Sequence, residues 1–246
     1  AMVLVHGGGG HPYLQWVKAW NDRGYAAIAM ETTGCFPKKG NVCINESDND
    51  NFVYGLGSNP DFQEDGYVDS LRREFPVSYA EIDKHWAIYG LTCVEYAHNI
   101  LRADERVDSE KIGITGVSWG GVTASLAIGY DTRYAFAVPV YGTAYLGGEM
   151  HSFDKFGNEY VHALWAAEDR LDNFKNPVMW WAYNDDNNFA VPAYVNSYVH
   201  SVRNNEKDVL VMLGNWSHSH GSVFYYENEY SAVFADSVVK GGAGFV

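Results

Sequence analysis

The chain has 246 residues, 47% of them apolar and 20% charged, with a formal net charge of -14 at pH 7. That length and balance describe one folded domain over 1–246 and exclude a disordered chain. The negative charge argues against nucleic acid or an anionic membrane as partner, and no apolar run is long enough to span a bilayer.

Ala1 to Val5 already reads as an apolar strand, so no signal peptide is read within this chain. The compartment, cytoplasmic or exported, stays open, as does the oligomeric state. His6-Gly7-Gly8-Gly9-Gly10-His11-Pro12 follows. This run lacks the Gly-Lys-Ser/Thr end of a phosphate loop. Its glycines suit another task, which is to point backbone N–H groups at a developing negative oxygen without side-chain obstruction. Gly8 and Gly9 are the candidates, and His6 reads as a brace for the loop. Leu14 to Arg23 has the period of a helix, with Leu14, Trp16, Val17 and Trp20 on its apolar face and Gly24 at its end. Tyr25 to Met30 is the next strand.

From Thr32 to about Ala80 no period is sustained, and Asn45 to Asn51 is acidic and amide-rich. Compact domains rarely carry so long a connection without a use, so 34–80 is expected to be a lid or substrate-side insertion. Three cysteines make no disulfide framework. Pairing of Cys35 with Cys43 is left open against free thiols, and Cys93 reads as core. Ala80 to Arg102 is the longest helix, with Ile82, Trp86, Tyr89, Cys93, Tyr96 and Ile100 as its expected buried stripe.

The stretch from Lys111 to Ala124 organises the rest. It reads as a buried strand, the turn Gly116-Val117-Ser118-Trp119-Gly120, and a helix of small residues. This is the context of a nucleophile elbow. The tight turn holds the serine in a strained conformation, and the helix N-terminus adds partial positive charge beside it. A second oxyanion donor is the N–H of Trp119, the residue after the nucleophile.

Ala135 to Val140 is a further strand that ends at Tyr141-Gly142-Thr143. Gly147 to Asn176 is irregular with one short helix, and Val178 to Tyr183 is a strand. Asp185 and Asp186 stand just past that strand, where an acid would orient an imidazole. Pro192 to Arg203 reads as a helix and Asp208 to Leu213 as the final strand. His218 and His220 follow it, and a helix over Val223 to Lys240 closes the chain. The alternation of strand and helix implies a mostly parallel sheet with helices on both faces, an α/β fold.

A free serine hydroxyl is a poor nucleophile at neutral pH. It needs an imidazole to take its proton and a carboxylate to hold that imidazole. Ser118, then Asp185 or Asp186, then His218 or His220 supply these in the order Ser…Asp…His. His218 is preferred because it lies nearer the strand end. The His-x-His pair has no second pair at ligand spacing, so neither a metal nor a cofactor is expected.

His6 to Gly10, Trp20 to Met30, Gly116 to Gly121, Phe136 to Gly142, His218 to Gly221 and Phe234 to Gly242 carry a resemblance. They resemble the acetyl xylan esterase-like, dienelactone-hydrolase-like branch of the α/β-hydrolases, near the prolyl oligopeptidase clan. The resemblance implies an α/β-hydrolase fold with one or two strands ahead of Ala1, so a longer natural chain is expected. It places the acid in a segment like Thr-Asn-Asp-x-x-Phe, which selects Asp186, with Asp185 as the alternate. It implies a serine carboxylic-ester hydrolase that removes short acyl groups, such as acetyl, from carbohydrate. Trp119, Tyr141 and Tyr145 are expected to stack on sugar rings at the mouth. Two competing readings are a serine exopeptidase or amidase, and a silent hydrolase-fold binding domain.

Overall fold

The computed structural model describes residues 1–8, 11–32, 35–37, 52–54, 86–147, 159–186, 188–213 and 229–241. Its centre is a parallel sheet of six strands. They are β1 (Met2–Val5), β2 (Ala27–Met30), β5 (Gly113–Val117), β6 (Phe136–Val140), β7 (Met179–Tyr183) and β8 (Val209–Leu213), in the spatial order β2-β1-β5-β6-β7-β8. β1 and β5 run side by side, from Met2 opposite Gly113 to Val5 opposite Gly116. Every residue of these two strands is buried. Strands covered on both faces are apolar without alternation, as Met-Val-Leu-Val is here.

Helix α1 (Leu14–Asn21) packs on β1 and β2, and α2 (Trp86–Ala103) packs on β1, β2 and α3 (Trp119–Tyr130). α3 lies across β5, β6 and β1, and is buried from Trp119 through Gly129. α4 (Glu159–Trp165) precedes two short 3-10 turns, α5 (Val191–Ser201) covers β7 and β8, and α6 (Glu229–Val239) reaches β6. The chain leaves β1 toward β2 on one side and returns to β5 on the other. A crevice therefore opens at the carboxyl ends of β1 and β5, the usual ligand position in open α/β sheets.

The structure changes three expectations. α2 turns three residues of the expected stripe outward, with Tyr89 60%, Tyr96 67% and Ile100 58% exposed. Its seam is Ala87, Gly90, Val94, Ala97 and Leu101. The cause is close approach, since a methyl group on Gly90 would sit 3.3 Å from the Thr32 carbonyl. Small residues let the helix lie that near the sheet, and Cys93 is only half-buried beside the seam. On α1, Trp16 and Trp20 are buried while Leu14 is exposed. Finally, the stretch read as having no period contains an antiparallel pair, β3 (Cys35–Pro37) with β4 (Phe52–Tyr54), in which Cys35 faces Tyr54. Cys43 and the rest of the 34–80 insertion lie outside the described residues, so the lid expectation and the Cys35–Cys43 pairing do too.

Candidate active site

Ser118 sits between β5 and α3 with φ 54° and ψ -122°, a conformation that costs a non-glycine residue energy and persists only when its surroundings impose it. The surroundings here are backbone. The Ser118 N–H donates to the Val140 carbonyl at 2.9 Å, and its carbonyl accepts from the Val122 N–H at 3.1 Å. A Cβ on Gly116 would run into the carbonyl of Gly120, and one on Gly120 into the carbonyls of Val5 and His6. The turn is thus locked against β1, and the serine emerges at the carboxyl edge of the sheet over the first turn of α3.

The glycine run enters from β1. A side chain at Gly7 would begin 3.2 Å from the Ser118 Cβ and 3.8 Å from its Oγ. A Cβ on Gly8 would collide with the indole of Trp119. Bare backbone therefore stands close to the nucleophile, as an oxyanion arm requires. Gly9 lies outside the described residues. His6 is buried and braces the arm. Its Nδ1 donates to the Gly7 carbonyl at 2.8 Å, and its Nε2 accepts the Thr32 N–H at 3.2 Å. A carbonyl only accepts, so Nδ1 carries a proton, and Nε2 also lies 3.3 Å from Glu31 Oε1.

The edge continues through backbone bonds from β6 to β8. The Tyr141 N–H donates to the Trp181 carbonyl at 2.7 Å, and the Asn184 N–H to the Leu213 carbonyl at 3.0 Å. Asp185 and Asp186 follow on this edge and are held differently. Asp185 is exposed. Asp186 accepts at Oδ1 from the N–H groups of Asn188, at 2.8 Å, and Phe189, at 3.0 Å, and at Oδ2 from the Tyr194 hydroxyl at 2.8 Å. Three donors pre-orient the carboxylate. Tyr194 was not among the residues expected from sequence, because a tyrosine on an amphipathic helix reads as core packing. His218 and His220 lie outside the described residues.

The two tyrosines expected to stack on substrate are otherwise engaged. Tyr141 is 1% exposed, its ring tilted against Trp181 at 6.1 Å and Tyr183 at 6.0 Å. Its ring closes the packing layer at the ends of β6 and β7 and is not a platform. Tyr145, with φ 58°, is pinned by its N–H to Glu168 Oε2 at 2.9 Å. Its hydroxyl meets His200 Nδ1 at 2.8 Å, and His200 Nε2 meets Asp172 at 3.1 Å.

Among the described residues, Glu95, His98 and Asp131 form a group with the spacing of metal ligands. Arg133, however, grips both Asp131 oxygens at 2.7 Å, which sets a fixed positive charge where a cation would bind. Asp131 also pairs with His98 Nδ1 at 2.7 Å, and the His98 ring stacks on Tyr134 at 3.9 Å. The cluster clasps α2 to the turn between α3 and β6, at the far end of α3 from Ser118.

The chain matches the prolyl oligopeptidase family over residues 79–221. No curated protein matches it in sequence. Among solved structures it resembles the acetyl xylan esterase of Paenibacillus sp. R4 at TM-score 0.63 and 17% identity, covering 97% of this chain and 74% of that one. The acylaminoacyl peptidase of Pyrococcus horikoshii gives TM-score 0.62 at 16% identity, with 100% of this chain on 38% of that chain. A puromycin-hydrolyzing peptidase of Mycobacterium tuberculosis gives 0.64 at 16% identity, with 96% of this chain on 34% of that one. At these identities the likeness carries the fold. No helix among the described residues is long and apolar enough to cross a membrane.

Proposed function

We propose a function from the premise that this chain belongs to the prolyl oligopeptidase family of the α/β-hydrolase superfamily. Membership makes it a hydrolase of the serine peptidase and esterase type. The finer reading is a carboxylic-ester hydrolase that removes short acyl groups, acetyl above all, from carbohydrate or other alcohols. The observation that carries it is the strained Ser118 standing against the bare backbone of Gly7 and Gly8.

The chemistry runs through an acyl-enzyme. Ser118 Oγ attacks the acyl carbon as His218 takes its proton, with Asp186 orienting the imidazole. The N–H groups of Gly8, Gly9 and Trp119 hold the oxyanion. Collapse breaks the carbon–oxygen bond to the alcohol, which leaves with the proton from His218. Water then repeats the sequence and frees the acid. His220 and Asp185 are the alternates for base and acid. Support for an ester substrate is the likeness in fold to the acetyl xylan esterase, at TM-score 0.63.

A second reading, an exopeptidase or amidase, is favoured by the family match and by the likeness to the acylaminoacyl peptidase. A fluorophosphonate probe with Ser118→Ala as control tests both. Labelling lost in the variant supports the serine hydrolase, and a folded wild-type chain without labelling overturns it in favour of a silent domain. Acetylated sugars and p-nitrophenyl acetate against aminoacyl amides then separate ester from amide preference.

A further inference from the structure

Three large rings beside the elbow pack on one another. Trp119 follows Ser118, and its indole leans on Gly8 so closely that no Cβ fits there. Trp165, the last residue of α4, lies against it with ring centroids 5.5 Å apart. Phe189 meets Trp119 edge to face at 6.1 Å. The Phe189 N–H donates to Asp186 Oδ1 at 3.0 Å, so this ring is tied to the loop of the acid. The three side chains thus make one aromatic wall from the oxyanion arm to the acid. It is closed, with Trp119 9%, Trp165 2% and Phe189 2% exposed.

We propose that this wall is the acyl side of the site, and that Trp165 and Phe189 limit the acyl group to acetyl or little more. The inference rests on the serine-hydrolase reading above and adds its size determinant. A carbonyl carbon bonded to Ser118 carries its oxygen toward the Gly8 and Trp119 N–H groups. The leaving alcohol must face the imidazole that protonates it. In the proposed arrangement the acyl substituent lies beside the indole of Trp119. On this proposal a methyl group is accepted beside the packed rings. A longer chain must displace one, and aromatic rings packed to this density do not yield without loss elsewhere.

The test uses p-nitrophenyl acetate, butyrate and octanoate with the wild type, Phe189→Leu and Trp165→Phe, each checked by thermal melting and fluorophosphonate labelling. Acetates of several alcohols form a second series. The wild type is expected to prefer acetate over butyrate by about tenfold or more in kcat/KM, the scale at which a pocket discriminates methylenes. In either variant the butyrate-to-acetate ratio is expected to rise by about tenfold, with the alcohol series unmoved. A folded, labelled variant that keeps the wild-type acyl ratio overturns the proposal, as does a change confined to the alcohol series. Equal use of acetate and butyrate by the wild type also overturns it. A wild type that neither labels nor turns over any ester overturns the serine-hydrolase reading and this inference together. Where one variant does not fold, the other decides.

Discussion

The imidazole of His6 donates from Nδ1 to the carbonyl of Gly7 at 2.8 Å, and that carbonyl shares a peptide plane with the N–H of Gly8. The described chain holds no cis peptide, so the two groups point in opposite directions. Drawing the carbonyl toward His6 turns the Gly8 N–H away from it. The two ring nitrogens have separable partners, since Nε2 serves Thr32. An asparagine amide reproduces a donor near Nδ1, whereas glutamine reaches the position of Nε2. His6→Asn is therefore expected to keep kcat within about tenfold, and His6→Gln to lower it by about 100-fold, the scale of one lost oxyanion donor. Steady-state kinetics on p-nitrophenyl acetate reads the difference. Equal losses in the two variants would show that His6 only fills space.

Asp186 and Asp185 are neighbours in sequence, but only Asp186 has its carboxylate held by two backbone N–H groups and the Tyr194 hydroxyl. Asp186→Asn is expected to lower kcat by about 10⁴-fold, as loss of the orienting acid does in a serine triad. Asp185→Asn is expected to stay within a few-fold. The reverse order would move the acid to Asp185.

The elbow should be intolerant of a single methyl group. A Cβ on Gly120 meets the carbonyls of Val5 and His6, which are backbone and cannot rotate away. Gly120→Ala is expected to cost about 3 kcal/mol. For a chain of this size that is a fall of roughly 6–12 °C in Tm, measurable by calorimetry. An unchanged Tm would mean that α3 does not bear on β1 as described.

The clasp at the other end of α3 carries a pH signature. Burial, then the hydrogen bond and charge of Asp131, raise the Glu95 carboxyl from its ordinary 4.5 to about 8. The folded state keeps a proton that the unfolded chain gives up, so this contribution to stability is complete below pH 4.5 and is lost as pH rises toward 8. Burial also raises Asp208, from 3.8 to about 6, with the same sign. Burial pushes Asp131 up as well, but the hydrogen bonds from His98 and Arg133 outweigh it and hold it below the usual carboxylate range. Asp131 therefore adds stability that is lost only in acid. Glu95→Gln keeps a donor to Asp131 and removes the titration. Its Tm is expected to fall less than that of the wild type between pH 5 and pH 9, and parallel curves would discount the cluster.

The elbow, the glycine run and all six strands of the central sheet are legible in the amino-acid order. Each depends on local chemistry: glycine where a Cβ would collide, and unbroken apolar runs where both faces are covered. The helix faces were less legible. Aromatic residues at helical spacing on α2 suggested burial, yet Tyr89 and Tyr96 are exposed, because Gly90 and Ala97 bring the helix too near the sheet for large side chains. Tyr141 shows the converse, a residue beside the predicted mouth whose ring is spent on packing.

By itself, the sequence determined that a serine stands on a strand-to-helix turn behind a glycine-rich loop, because those are short-range constraints written in consecutive residues. Only the tertiary structure decided which aspartate is held by Asn188, Phe189 and Tyr194, and that Trp119, Trp165 and Phe189 meet as one wall. The three rings are far apart in the chain, and the aspartate's partners, though near in sequence, are set by how the turn after β7 folds onto α5. Hydrogen-bond direction and ring packing act over a few ångströms of space, and separation along the chain does not encode them.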